Sequence, residues 1–179
     1  MPLWNIVLSG YPASGKTVLA RRLVSENPNF VRLNVDDLRD MYFGSAEPRD
    51  EEVVYNSLAT LRDSFLTGER SVIIDSTAPN ETTRDYLLNT KVRGAVKLLV
   101  LMVVDRKVLE ARIQLRRLKG TIEAWDKTWE TPSSHMPLMK FRNNSPEEFE
   151  TSYYVLTDLL NSKVHPYKRR FLEHIYPRT

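Results

Sequence analysis

Short apolar runs alternate along the chain with stretches in which apolar residues recur at helical spacing. Leu3–Ser9 reads as a first strand, and Val18, Leu19, Arg22 and Leu23 fall on a helix running from Lys16 to about Glu26. Asn27-Pro28-Asn29 stops that helix. A short strand follows at Phe30–Asn34, and Asp36-Asp37 can cap a helix through about Tyr42. Gly44 to Asp50 reads as a loop, and Glu51–Thr67 as an amphipathic helix closed by Gly68. Ser71–Ile74 predicts a buried strand ending at Asp75, and Asn80 caps a helix over Glu81–Thr90. Val96–Val104 is apolar but for Lys97, and reads as a strand of the kind found inside parallel sheets. Asp105 caps a basic helix through about Lys119, after which periodicity fades from Gly120 to Asn144. Ser145-Pro146-Glu147-Glu148 restores it with a capping box and a proline at the first helical position, predicting a helix to about Leu160. The alternation implies an α/β fold with a mostly parallel sheet and helices on both faces. No repeat, low-complexity tract or linker interrupts it, so a single domain over 1–179 is expected.

Composition narrows the function classes. The longest purely apolar run, Leu98–Val104, is far too short to span a bilayer, so no membrane association is expected. No charged n-region with an apolar h-region precedes the first strand, which argues against a signal peptide. The absence of cysteine excludes disulfides, thiolate metal sites and cysteine nucleophiles, and is compatible with a cytoplasmic location. A net charge of +3 permits a polyanionic partner without demanding one.

The sharpest chemical signal is Gly10-Tyr11-Pro12-Ala13-Ser14-Gly15-Lys16-Thr17, a full G-x-x-x-x-G-K-[ST] match between the first strand and the first helix. Glycine lets such a loop wrap with its N–H groups inward, and the helix N-terminus favours negative charge. Gly10 and the run Ala13-Ser14-Gly15-Lys16-Thr17-Val18 are the expected nucleoside-triphosphate contacts. Lys16 can reach the β/γ-phosphates, and the Thr17 hydroxyl can bind Mg²⁺.

Three further clusters stand at strand ends or on one helix. Asp36 and Arg39, three residues apart, follow the second strand. An aspartate there can take a proton from an attacking hydroxyl, and the arginine can clamp a phosphate on the acceptor. The alternative is that Asp36-Asp37 only cap a helix and Arg39 is solvated. Asp75-Ser76-Thr77 ends the third strand; Asp75 can bind Mg²⁺ directly or through water, while Ser76, Thr77 and Asn80 can contact the acceptor, or the cluster is a turn with a helix cap. The 106–119 helix carries Arg106, Lys107, Arg112, Arg116, Arg117 and Lys119 against Glu110. Arg112 and Arg116 share a face and make this a candidate lid, against the alternative of a solvated basic face.

Two stretches are less specific. Trp125, Trp129, His135, Met136, Met139, Phe141 and Arg142 either stack on nucleobases or pack a loop by themselves. The basic tail Lys163–Arg170 either tracks a nucleic-acid backbone or is solvated. His135 and His165 have no ligand cluster near them in sequence, which argues against a zinc site.

The order GYPASGKT, then ENPNFVRLNVDDLRDMYFG, then SVIIDST-x-x-N with Arg84 following, resembles the kinase domain of phage T4-type polynucleotide kinases, within the AAA-like and zeta-toxin-like P-loop phosphotransferases. The resemblance covers roughly residues 3–120. It implies a three-layer P-loop kinase fold with a basic lid helix, and transfer of the ATP γ-phosphate, with Mg²⁺, to a 5′-hydroxyl of DNA or RNA in a cytoplasm. Lys16 and Thr17 would take the phosphate and magnesium roles, Asp36 that of general base, Arg39 the contact to the acceptor's phosphate, and Arg112 and Arg116 those of the lid arginines. An acceptor-shaping region would extend over about 106–144, followed by a helix and basic tail over 145–179. Asp75 lies one residue away from where the phage pattern has its acid, and no DxDGT motif like that of the type's phosphatase domain occurs in these residues, so no end-healing phosphatase activity is expected. Related acceptors are a hydroxymethyl group on 5-hydroxymethyluracil in phage DNA or a small alcohol; a non-enzymatic nucleotide-binding module is the remaining alternative.

Overall fold

The computed structural model describes residues 2–118 and 122–162. Five strands, β1 (Leu3–Ser9), β2 (Phe30–Asn34), β3 (Ser71–Asp75), β4 (Ala95–Val103) and β5 (Leu138–Arg142), form one all-parallel sheet in the order β2-β3-β1-β4-β5. Among the described residues, seven helices connect and cover them: α1 (Lys16–Glu26), α2 (Val35–Phe43), α3 (Glu51–Thr67), α4 (Glu81–Leu88), α5 (Arg106–Leu115), α6 (Ile122–Asp126) and α7 (Pro146–Asn161).

Side-chain alternation in the central strand divides the core into two layers. Trp4, Ile6 and Leu8 of β1 pack with Leu19 and Leu23 of α1 and with Phe149, Tyr153 and Leu156 of α7. Val7 turns to the other face, with Ile74, Leu99, Leu58 and Leu66 of α3, and Leu87 of α4. Each fully buried leucine or isoleucine contributes roughly 1.5–3 kcal/mol, so the two sandwiched layers hold the sheet flat against its helices. Polar residues sit in this core for a reason. Asn5 of β1 donates from Nδ2 to the Leu87 and Leu88 carbonyls, and Arg62 of α3 donates to the carbonyls of Tyr86, Leu87 and Asn89. Together they satisfy the C-terminal carbonyls of α4.

The same interactions end α4 at Leu88, two residues short of the expected Thr90. The basic helix also ends early, at Leu115 and not near Lys119. Arg117 adopts a left-handed φ of 51°, its N–H donates to the Gln114 carbonyl, and the Leu118 N–H donates to the Ile113 carbonyl. That is a Schellman end built without the glycine that usually announces one. Lys119, Gly120 and Thr121 lie outside the described residues, as does the basic tail with His165.

Three caps differ from expectation. The α2 cap is Asn34, whose Oδ1 accepts from the Asp37 N–H at 2.7 Å, so Asp36 and Asp37 are first-turn residues and not caps. Asp105 precedes α5 without a side-chain cap bond. Ser145 caps α7 as expected, but Glu148 closes the box on the Asn144 N–H, one residue further out than its usual partner. The stretch over Gly120–Asn144 also contains α6 and the edge strand β5. Met139 and Phe141 of β5 point into the core, which removes them from any base-stacking surface.

Candidate active site at the carboxyl edge of the sheet

In open parallel sheets, ligands gather where the strands end. β1 delivers the phosphate-loop sequence to this edge, between the ends of β3 and β4. The Gly10 N–H donates to the Thr77 carbonyl (3.1 Å), joining the start of the loop to the turn after β3. Gly15 has φ 100° at the N-terminus of α1, and Asn143, just after β5, donates to the Ser14 carbonyl at 2.8 Å. A Cβ on Gly15 would stand 2.3 Å from the Asn143 amide nitrogen, so glycine is required by space as well as by backbone.

Lys16 is buried, and its Nζ donates to the Gly10 carbonyl at 2.9 Å and the Tyr11 carbonyl at 2.7 Å. Burial pushes its pKa down to about 8, partly opposed by the charges of Asp75 and Asp36. That opposition places both carboxylates in the electrostatic neighbourhood of the loop lysine.

At the β2 end of this edge stand two arginines, each held between two acids. Arg39 donates to Asp36 at 2.6 Å and, through Nε and Nη2, to both carboxylate oxygens of Glu51 at 2.9 and 2.5 Å. Arg39 is therefore neither solvated nor unengaged, and Asp36 is ion-paired while remaining largely exposed. Arg32 of β2 donates twice to Asp75 Oδ2, at 3.0 and 2.8 Å, and once to Asp37 at 2.6 Å. Asp75 is 2% exposed, and Asn34 Nδ2 ties its backbone carbonyl to the start of α2. Ser76 Oγ accepts from the Ala78 N–H and hydrogen-bonds with the hydroxyl of the half-buried Tyr55. Thr77 enters the site through its carbonyl bond to Gly10. Thr17 and Asp75 offer a hydroxyl and a carboxylate, hard oxygen donors that fit Mg²⁺ beside a triphosphate.

Arg84 of α4 is fully buried beneath this edge. Its Nε donates to Ser9 Oγ and the Ala78 carbonyl, its Nη2 to the Pro79 carbonyl, and its guanidinium lies 4.8 Å from the Trp129 ring centroid. Burial lowers its pKa against the opposing charges of Glu130 and Glu81. Trp129 in turn packs on Tyr11 of the phosphate loop (4.8 Å), whose hydroxyl donates to Asp126 at 2.7 Å. Arg106 of α5 binds Glu110, Glu123 and Asp126, so α6 is strapped to both α5 and the loop. The basic helix thus faces more acid than Glu110 alone. Arg112 lies in its last turn and Arg116 at its C-cap, close enough that burial and Arg116 both lower the Arg112 pKa.

Arg32, Glu51, Tyr55 and Asn143 are absent from the residues singled out by sequence. Arg32 carried one signal, a charge inside a short apolar strand; the others carried none.

A family model described as an AAA domain (AAA_33) matches residues 6–140, and the chain belongs to that family of P-loop kinase domains. No curated protein matches the sequence. Among solved structures, the chain is similar to the APS kinase CysC of Mycobacterium tuberculosis in complex with AMPPNP and APS, at 18% identity and TM-score 0.65, covering 90% of this chain and 100% of that one. It is similar to a sugar kinase from Janibacter sp. HTCC2649, at 20% identity and TM-score 0.63, covering 87% and 95%. It is also similar to a chain of the Pnkp1/Rnl/Hen1 RNA repair complex, at 20% identity and TM-score 0.59, covering 88% of this chain and 46% of that one. These likenesses establish the α/β P-loop kinase fold. No helix among the described residues is long and apolar enough to cross a membrane.

Proposed function

We propose that the protein is an ATP- and Mg²⁺-dependent phosphotransferase that acts on a hydroxyl, with the 5′-hydroxyl of DNA or RNA as acceptor. The observation that carries this reading is Asp36. It is exposed at the sheet's carboxyl edge, near Lys16 in electrostatic terms, and paired to an arginine on the acceptor side. A carboxylate so placed can receive the acceptor proton as the hydroxyl oxygen attacks the γ-phosphate. Lys16 and the loop amides of Gly10 and of Ala13 to Val18 neutralise the phosphates, Thr17 and Asp75 hold the magnesium, and Arg39, Ser76 and Thr77 orient the acceptor. Arg112 and Arg116 close over the transferring group from the 106–144 region, and the whole of 1–179 works as one unit. The named RNA repair neighbour and the order of motifs support a nucleic-acid acceptor.

A second reading is a small neutral alcohol, and one observation favours it. Arg32 and Arg39 are each already shared by two carboxylates, so Asp36, Asp37, Asp75 and Glu51 offset them before a polyanion arrives. Labelled ATP with Mg²⁺ and separate acceptors decides between them. These are a 5′-hydroxyl oligonucleotide, DNA containing 5-hydroxymethyluracil, and a pool of nucleosides and sugars. Label on the oligonucleotide end upholds the first reading; label only in the small-molecule pool overturns it in favour of the second.

A further inference from the structure

Away from the phosphate loop, three metal-ligating side chains from two distant segments converge. Glu81 and Asp85 lie one turn apart on α4, so their carboxylates share a face. His135, between α6 and β5, brings Nε2 to 3.5 Å from Glu81 Oε1 and 3.9 Å from Asp85 Oδ1. One ligand atom from each residue lies within 4.8 Å of the other two. A tetrahedral ion with bonds of about 2.0–2.2 Å sets its ligands about 3.3–3.6 Å apart, a spacing that a small rotation of the exposed Asp85 side chain supplies.

Ser133 joins the two segments: its Oγ donates to Glu81 Oε1 at 2.7 Å and lies beside the imidazole, 2.8 Å from His135 Nδ1 and 3.5 Å from Nε2. A hydroxyl in contact with two members of the cluster holds them in place, as outer-shell groups do around a metal.

We propose that Glu81, Asp85 and His135 bind a divalent transition ion of the zinc class, a site separate from that for the magnesium nucleotide. The mixed nitrogen and oxygen donor set suits such an ion, whereas Mg²⁺ prefers oxygen alone. Three protein ligands leave a coordination position open, and Asp85 and His135 also line a cavity of about 640 Å³ bounded by Tyr86, Lys97 and Met136. The ion bolts the 133–137 segment to α4. Hydrogen bonds already tie the chain down on either side: before the segment the Glu130 N–H donates to the Pro79 carbonyl, and at its end the Pro137 carbonyl accepts from the Leu99 N–H.

The test titrates chelator-treated, full-length protein with Zn²⁺ in the presence of excess Mg²⁺, read by calorimetry and by thermal unfolding. Saturable binding with a raised melting temperature is expected. His135→Ala and Asp85→Asn should each weaken it at least tenfold, and Ser133→Ala by about tenfold, as outer-shell losses typically do. Asp75→Asn should leave zinc affinity unchanged. The side chains of Asp85, His135 and Ser133 are exposed or partly so, and the zinc-free melting temperatures of all the variants serve as the folding control. Absence of saturable binding, equal binding by His135→Ala, or dependence on Asp75 in place of His135 would each overturn the assignment.

Discussion

Asn143 Nδ2 donates to the Ser14 carbonyl at 2.8 Å and stands where a Cβ on Gly15 would have to go. The end of the edge strand β5 therefore sets the shape of a loop that begins at the end of the central strand, 129 residues away in sequence.

That relationship predicts two separable defects. Gly15→Ala forces both a clash at 2.3 Å and an L-residue at φ 100°, and such backbone strain costs on the order of 1–3 kcal/mol. ATP affinity should fall by about tenfold or more, at 1.4 kcal/mol per decade. Adding Asn143→Ala removes the clash but not the strain, so calorimetry should show only partial recovery. Full recovery would mean that the backbone conformation is not what glycine supplies.

Asp36→Ala should leave ATP affinity within a few-fold of wild type while reducing turnover on the preferred acceptor by roughly 10²–10⁴, the usual contribution of a general base. Arg39 retains Glu51 in this variant, so the local ion pair survives. Single-turnover transfer is the measurement, and an unchanged rate would remove Asp36 from the chemistry.

Arg39→Ala should raise the acceptor KM with little change in ATP affinity. Glu51→Gln provides the contrast, because weakening one of Arg39's two acidic partners leaves the guanidinium better able to bind an acceptor phosphate. If the acceptor carries a phosphate, Glu51→Gln lowers KM; if it is a neutral alcohol, KM stays flat. Steady-state kinetics on both variants therefore reports the acceptor's charge.

Arg84→Ala should destabilise the fold by about 2–4 kcal/mol, read from denaturant midpoints. It opens a cavity under Trp129 and leaves the Pro79 carbonyl without the guanidinium that binds it. One guanidinium nitrogen, Nη1, is buried without a partner among the described residues, so part of the gain from this arginine is already offset. Arg84→Met fills most of the volume and should recover about half of the loss.

What could be read from sequence follows from how each feature is encoded. The phosphate loop is contiguous, and Asp36 with Arg39 is an i,i+3 relation on one helix, so local spacing reveals both. Arg32 with Asp75, Arg39 with Glu51, and Asn143 with Ser14 depend on strand order and register, which no local window contains. β5 was missed although Leu138-Met139-Lys140-Phe141-Arg142 alternates correctly, because its pattern is short and is flanked by irregular backbone. The early end of α5 was hidden because Arg117, and not glycine, takes the left-handed position. His135 has no acid close to it in its own segment; its neighbours Glu81 and Asp85 come from α4, about 50 residues earlier, a contact that only the fold creates.

The buried Lys16 gives a prediction that depends on pH alone. Its pKa is lowered from 10.5 to about 8, chiefly by burial. Below pH 8 the lysine is charged in both states, and the folded protein bears the cost of holding an ammonium away from water. Between about 8 and 10.5 the folded lysine has lost its proton while the unfolded one retains it, so stability rises with pH across that window. Wild type should therefore gain stability relative to Lys16→Met from pH 8 to 10.5, by a total on the order of 3 kcal/mol. Comparing the two proteins cancels every other titrating group, and urea midpoints at closely spaced pH values give the difference directly. A bound triphosphate favours the charged form and moves the transition upward, so ATP should flatten the rise. A flat difference without ATP would show that Lys16 keeps its ordinary pKa and that the loop carbonyls replace its lost water.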